Sequence, residues 1–190
     1  MITLSSLFAD FPLKIISGQP SGVPIRAIIA DSRKAQQSDL FVALPGEYFD
    51  GHKYILNAIE QGAVAIVGEQ AITNLPVPYI HVENARQALA HLAAAYYDYP
   101  ARKLTMIGVT GTDGKTTTSN FLYQILLEAG LKAGMISTVN AIIGDEILDT
   151  GFHVTTPDAL DTQRYLAKMV AAGLTHIILE TTSHGWAQYR

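Results

Sequence analysis

One stretch restricts the fold of this chain more than any other: LTMIGVTGTDGKTTTSNFL, Leu104–Leu122. A short apolar run meets three glycines, Gly108, Gly111 and Gly114, and leads straight into Lys115 and a helix-forming sequence. A strand that ends in a glycine-rich turn and opens a helix is the unit of a parallel α/β sheet. Glycines let the backbone turn tightly and bring its N–H groups close to an anion. The helix N-terminus adds a favourable dipole, a lysine there can neutralise phosphate charge, and a Thr hydroxyl can ligate Mg²⁺. The strict Walker A pattern asks for a further glycine five positions before Gly114, where Val109 stands, so the loop is a variant. A glycine-rich strand-to-helix turn with a lysine in it can be purely structural. Here the strand, the three glycines, Lys115-Thr116 and the helix all agree, and the agreement points to nucleotide phosphates held by Gly111, Thr112, Asp113, Gly114, Lys115, Thr116 and Thr117.

The rest of the chain alternates in the same way. Before the loop, IRAIIADSR, DLFVALPG, AVAIVGE and PYIHVE read as strands. HKYILNAIEQG is an amphipathic helix stopped by Gly62, and Ala85–Tyr97 a second helix. After the loop come a helix over about 116–129, a strand over 133–138, a helix over about 158–172 and a strand over 176–180. The spacing predicts βαβ units with helices on both faces of a parallel sheet. A seam at Tyr96–Leu104, where Pro100 interrupts any helix, separates a mixed α/β part, 1–99, from a P-loop parallel-sheet part, 100–190. The fold class is therefore α/β.

Composition narrows the setting. The 190 residues carry a formal net charge of −4, which gives no general pull toward nucleic acid. No apolar run is long enough to span a membrane, and the N-terminus lacks a basic start and a cleavage site, so a cytoplasmic protein is expected. With no cysteine, the chain has neither disulfides nor thiolate metal sites.

At the end of the sequence, HIILETTSHGWAQYR delivers Glu180 at the C-terminal end of an apolar strand, where α/β sheets place ligand-binding groups. Glu180 and Thr116 could share one Mg²⁺, a cation that takes few carboxylates together with water and phosphate oxygens. A solvated strand-end glutamate is the plain alternative, and His184 reads equally as an acid/base, a ligand or a loop residue.

The loop GVTGTDGKTTT resembles that of the Mur ligase superfamily, whose members usually carry Asn where Asp113 stands here; folylpolyglutamate synthases and cyanophycin synthetases have related loops. The terminal segment Glu180-Thr181-Thr182-Ser183-His184-Gly185, with Gln188 and Arg190, resembles the branch that adds the third amino acid to the peptidoglycan precursor. The stretch from Ala30 to Glu69 is similar to the UDP-binding domain of the same enzymes. This resemblance implies an ATP- and Mg²⁺-dependent amide ligase acting on UDP-MurNAc-L-Ala-D-Glu and an amino acid, lysine or diaminopimelate, through an acyl phosphate. It implies catalytic roles for Lys115, Thr116, Glu180 and His184, and metal ligation by Thr116 and Glu180. Substrate contacts are implied at Ala30, Ser32, Glu47, Tyr48, Phe49, Thr155, Thr156, Thr182, Gln188 and Arg190. The turn Asp31-Ser32-Arg33 and the loop through Asp50, Gly51 and His52 match positions that meet uridine and pyrophosphate. Val154 stands where the family often has Asn, and Thr182 keeps a hydroxyl in place of Ser. The family runs on past this sequence, so the chain is expected to be an N-terminal piece, inactive alone, of a monomeric enzyme. Two other readings stay open: a nucleotide- or UDP-sugar-binding module without catalysis, and another P-loop enzyme. The lack of an Asn-Lys-x-Asp signature weighs against a GTPase.

Overall fold

The computed structural model describes residues 1–46, 50–149 and 157–190. The chain divides into two compact units, Met1–Tyr96 and Tyr97–Arg190.

The first unit contains α1 (Leu4–Leu7), β1 (Ile15–Ser17), β2 (Ala27–Ile29), β3 (Asp39–Val42), α2 (Ile55–Glu60), β4 (Ala63–Gly68), β5 (Tyr79–Val82) and α3 (Ala85–Tyr96). Its sheet runs β1-β5-β4-β3-β2. The β2, β3, β4 and β5 neighbours are parallel, while β1 closes the edge antiparallel to β5. β3 is buried along its whole length, as a central strand covered on both faces must be. That burial includes Asp39, whose carboxylate accepts 2.8 and 2.9 Å hydrogen bonds from Arg26 and the Gln36 N–H. Gly62 stops α2 as expected, at φ +113°, and its carbonyl accepts from Ser38 N–H. A Cβ there would stand 2.8 Å from the Gln37 backbone, so glycine is required twice over, by conformation and by space.

The second unit contains β6 (Thr105–Val109), α4 (Lys115–Glu128), β7 (Ala133–Ile136), β8 (Asn140–Ile143), β9 (Glu146–Asp149), α5 (Ala159–Ala171), β10 (His176–Glu180) and α6 (Ser183–Ala187). Its sheet runs β6-β10-β7-β8-β9. β6, β10 and β7 are parallel, and β8 and β9 form an antiparallel hairpin beside β7. Alternation along the strands sorts the core onto two faces. Ile177 and Ile136 join Tyr165, Leu166 and Met169 of α5, whereas Ile178 and Met135 join Tyr123 of α4. The expected helices on both faces are present, but each sheet is mixed and not purely parallel. In the second unit the difference is the hairpin, which turns at Gly144 with φ +60°. A two-residue Gly-Asp turn between apolar residues is a hairpin signal that the helix–strand alternation does not contain.

Candidate functional site

The phosphate-type loop lies where the sequence puts it. β6 ends at Val109, and α4 begins at Lys115 after Gly114, which takes a left-handed conformation (φ +76°) at the N-cap. Gly111 has φ +152°. Gly111, Thr112, Asp113 and Gly114 are exposed, and so is Thr117. The Lys115 ammonium folds back over the loop and donates to the carbonyls of Gly111 (2.9 Å) and Thr112 (3.1 Å). The Asp113 carboxylate makes no hydrogen bond or ion pair among the described residues.

Sheet order brings the next group to this loop. β10 lies between β6 and β7, and Glu180 pairs in register with Val109, the last residue of β6. The Glu180 side chain is therefore delivered between the segments that leave β6 and β7. It is buried, 1% exposed. Thr116 in the first turn of α4 donates its hydroxyl to both carboxylate oxygens at 3.1 Å. From the other side Thr138 donates its hydroxyl (2.9 Å) and its backbone N–H (3.2 Å). Among the described residues the donors to this buried carboxylate are neutral, and a cation is the partner that would complete it. No group of three or more His, Cys, Asp or Glu able to hold a metal occurs among the described residues. One carboxylate and one hydroxyl beside a phosphate loop suit Mg²⁺, which fills its shell with water and phosphate oxygens. Sequence reading missed Thr138, because no local motif marks it; only the adjacency of β7 and β10 brings it to Glu180.

The other terminal residues form a separate group. Thr182 caps α6, accepting from Gly185 N–H at 2.9 Å, and the Trp186 indole N–H donates to the Thr181 hydroxyl at 3.1 Å. His184, exposed, hydrogen-bonds through its Nε2 to the Gln188 amide at 2.8 Å, and does not join the groups around Glu180. Arg190 N–H donates to the Gly185 carbonyl. Thr155 and Thr156 lie outside the described residues, as do Glu47, Tyr48 and Phe49.

In the first unit, Ala30, Ser32 and Arg33 line a cavity of about 650 Å³ together with Tyr54, Asn57 and Arg86. That volume is typical of small-molecule sites. Asp31 caps a single 3₁₀ turn and grips Arg33 with two parallel bonds, 2.9 and 2.8 Å. The Arg33 side-chain hydrogen bond holds the Asp31 carboxyl below the usual range, and Asp31 raises Arg33 in turn. His52 is buried with both ring nitrogens engaged. Its Nδ1 meets Asp50 at 2.6 Å and lowers that carboxyl, while Nε2 accepts from Glu69 N–H at 2.9 Å. Asp50 and His52 thus fasten the end of their loop to β4.

Comparison with known proteins places both units. Residues 24–97 match the family described as "Mur ligase family, catalytic domain", and residues 109–190 match "Mur ligase middle domain". The chain is 40% identical over 190 residues to the UDP-N-acetylmuramoyl-L-alanyl-D-glutamate–2,6-diaminopimelate ligase of Cytophaga hutchinsonii, covering 98% of this chain and 38% of that one. It is 42% identical over 167 residues to the UDP-N-acetylmuramyl-tripeptide synthetase of Treponema pallidum, covering 87% of this chain and 31% of that one. A solved structure of a UDP-N-acetylmuramoyl-L-alanyl-D-glutamate–2,6-diaminopimelate ligase superposes with a TM-score of 0.75 at 25% identity, over 99% of this chain and 37% of that one. MurF ligase from Thermotoga maritima, solved in complex with ADP, gives 0.55 at 27% identity, over 86% and 33%. The chain thus spans well under half the length of these relatives.

Proposed function

From the premise that this chain belongs to the Mur ligase family, we propose that the whole protein is an ATP-dependent amide ligase of peptidoglycan precursor synthesis, working in the cytoplasm. It joins a third amino acid, lysine or diaminopimelate, to UDP-MurNAc-L-Ala-D-Glu. The activities for which the relatives are named support this substrate, and the observation that carries the chemistry is the buried Glu180 carboxylate beside Thr116 and the loop. The two units divide the work: the first holds the UDP end, with Ala30 and Ser32 in its cavity, and the second holds ATP.

In the reaction, an oxygen of the D-Glu γ-carboxylate attacks the γ-phosphorus of ATP and ADP leaves. The amine of the incoming amino acid then attacks the acyl carbon and expels phosphate, forming the amide. Thr116 and Glu180 are the residues that would hold Mg²⁺, which supplies charge neutralisation on the phosphates when bound. Catalysis of phosphoryl transfer is mainly positioning and electrostatics. Lys115, now resting on the Gly111 and Thr112 carbonyls, is placed to turn its ammonium to the β- and γ-phosphate oxygens. The loop N–H groups and the α4 N-terminus cradle the same oxygens. Asp113 is exposed. Thr182, Gln188, Arg190, Thr155 and Thr156 are proposed substrate-side groups, and His184 is a proposed catalytic residue.

The test is Lys115→Ala in the whole protein. ADP release in the presence of the dipeptide substrate and amino acid should fall at least about a hundredfold, the scale of removing one such electrostatic group. Near-normal turnover would sink the assignment.

A further inference from the structure

We propose that Arg86 is the residue that reads the diphosphate of the nucleotide in the first unit's cavity, and that Arg33 is not; this rests on the reading of that cavity as the UDP site. Among the described residues, three ionised side chains line the cavity: Asp31, Arg33 and Arg86. Asp31 and Arg33 cancel each other through their two-pronged bond, and the Arg33 side chain is 86% exposed. Arg86 has no carboxylate partner among the described residues, so it is the uncancelled charge of the lining.

Its setting in the helix says the same. Arg86 stands in the first turn of α3, the end of a helix where a cation is disfavoured by the dipole. The neighbouring amides do not offer an anion site of their own: Ala85 N–H is taken by the Glu69 carboxylate at 2.6 Å and Gln87 N–H by Asn84 at 2.8 Å. A cation kept against its local preference, without an internal counter-charge, marks a position serving something other than helix stability. Arg86 is half-buried, and one of its five donors is spent, on the Pro45 carbonyl at 2.7 Å. That bond fixes the fork at the cavity wall and leaves its remaining N–H groups for phosphate oxygens, the geometry in which Arg recognition is strongest. The amide of Asn57 lines the same cavity, and among the described residues an anionic ligand meets Arg86 as the uncancelled positive group there.

The experiment titrates the whole protein with uridine and with UDP, followed by NMR or calorimetry, in wild type, Arg86→Met, Arg86→Lys and Asp31→Asn/Arg33→Met. Met keeps the apolar stem of Arg86, and Lys keeps the charge without the fork. Wild type should bind UDP more tightly than uridine, and the gain should shrink as salt rises. Arg86→Met should weaken UDP about 10- to 100-fold, the scale of lost bonds to a charged group, and leave uridine within about threefold. Arg86→Lys should fall between, and Asp31→Asn/Arg33→Met, which removes the two cancelling charges together, should stay near wild type. Equal loss of uridine and UDP in Arg86→Met would make the residue only a clamp on Pro45, and would overturn the proposal. So would unchanged UDP binding in Arg86→Met, or the main loss appearing in Asp31→Asn/Arg33→Met. If wild type bound neither ligand, the reading of the cavity would itself be wrong.

Discussion

Thr138 gives the sharpest prediction, because its bond to Glu180 can be removed with little change of shape. Thr138→Val deletes the 2.9 Å hydroxyl bond to the carboxylate and keeps the 3.2 Å backbone N–H. A hydrogen bond to a charged acceptor is worth about 1.5–3 kcal/mol. Thr138 is only half-buried, so water recovers part of the loss and about 1–2 kcal/mol remains. In a domain the size of the second unit that lowers Tm by about 5–15 °C. Trp186 is the sole tryptophan and lies in α6, so its fluorescence follows this unit's unfolding without interference from the first. Coupling is measured by repeating the substitution in a Glu180→Gln background. There the acceptor is neutral, and Thr138→Val should cost less than in wild type by about 1 kcal/mol. If the two substitutions instead add to within about 0.3 kcal/mol, as for sites that do not touch, the reasoning fails.

Two further outcomes concern the first unit. Burial pushes the Tyr79 hydroxyl up to about 12. The folded state then holds this proton more tightly than the unfolded chain, so its contribution is complete below pH about 10 and is lost between about 10 and 12. Melting curves across that window should fall more steeply for wild type than for Tyr79→Phe. Gly62→Ala should destabilise the first unit by at least about 2 kcal/mol in urea titration, since it adds a positive-φ penalty to a 2.8 Å approach to Gln37; a neutral result would show that the α2 stop relaxes freely.

The parts of this molecule that could be read from sequence are those in which local signals and tertiary role coincide. Strand, glycines, Lys115 and helix follow one another within the segment from β6 to α4, so the loop is legible residue by residue. The pairing of Thr116 with Glu180 was within reach because both sit at ends of elements, and the parallel sheet brings such ends together. Thr138 and Arg86 were not legible. Each looks like an ordinary side chain in its own segment, and each acquires its place from strand order or from a helix laid beside a distant loop. α6 escaped for a different reason: five residues with a glycine among them show no helical period, and the helix exists through the Thr182 cap. The β8–β9 hairpin was overlooked where the Gly144-Asp145 turn breaks an otherwise helix-and-strand rhythm.

The central claim is that ATP activates a carboxylate for amide formation, and oxygen transfer tests it most directly. The whole protein is given UDP-MurNAc-L-Ala-D-Glu labelled with ¹⁸O in the γ-carboxylate, ATP and the third amino acid, and the released phosphate is analysed by mass spectrometry. An acyl-phosphate route predicts one ¹⁸O atom passed to phosphate for each amide formed. Amide formation with unlabelled phosphate, or ATP binding with no phosphate released, would contradict it.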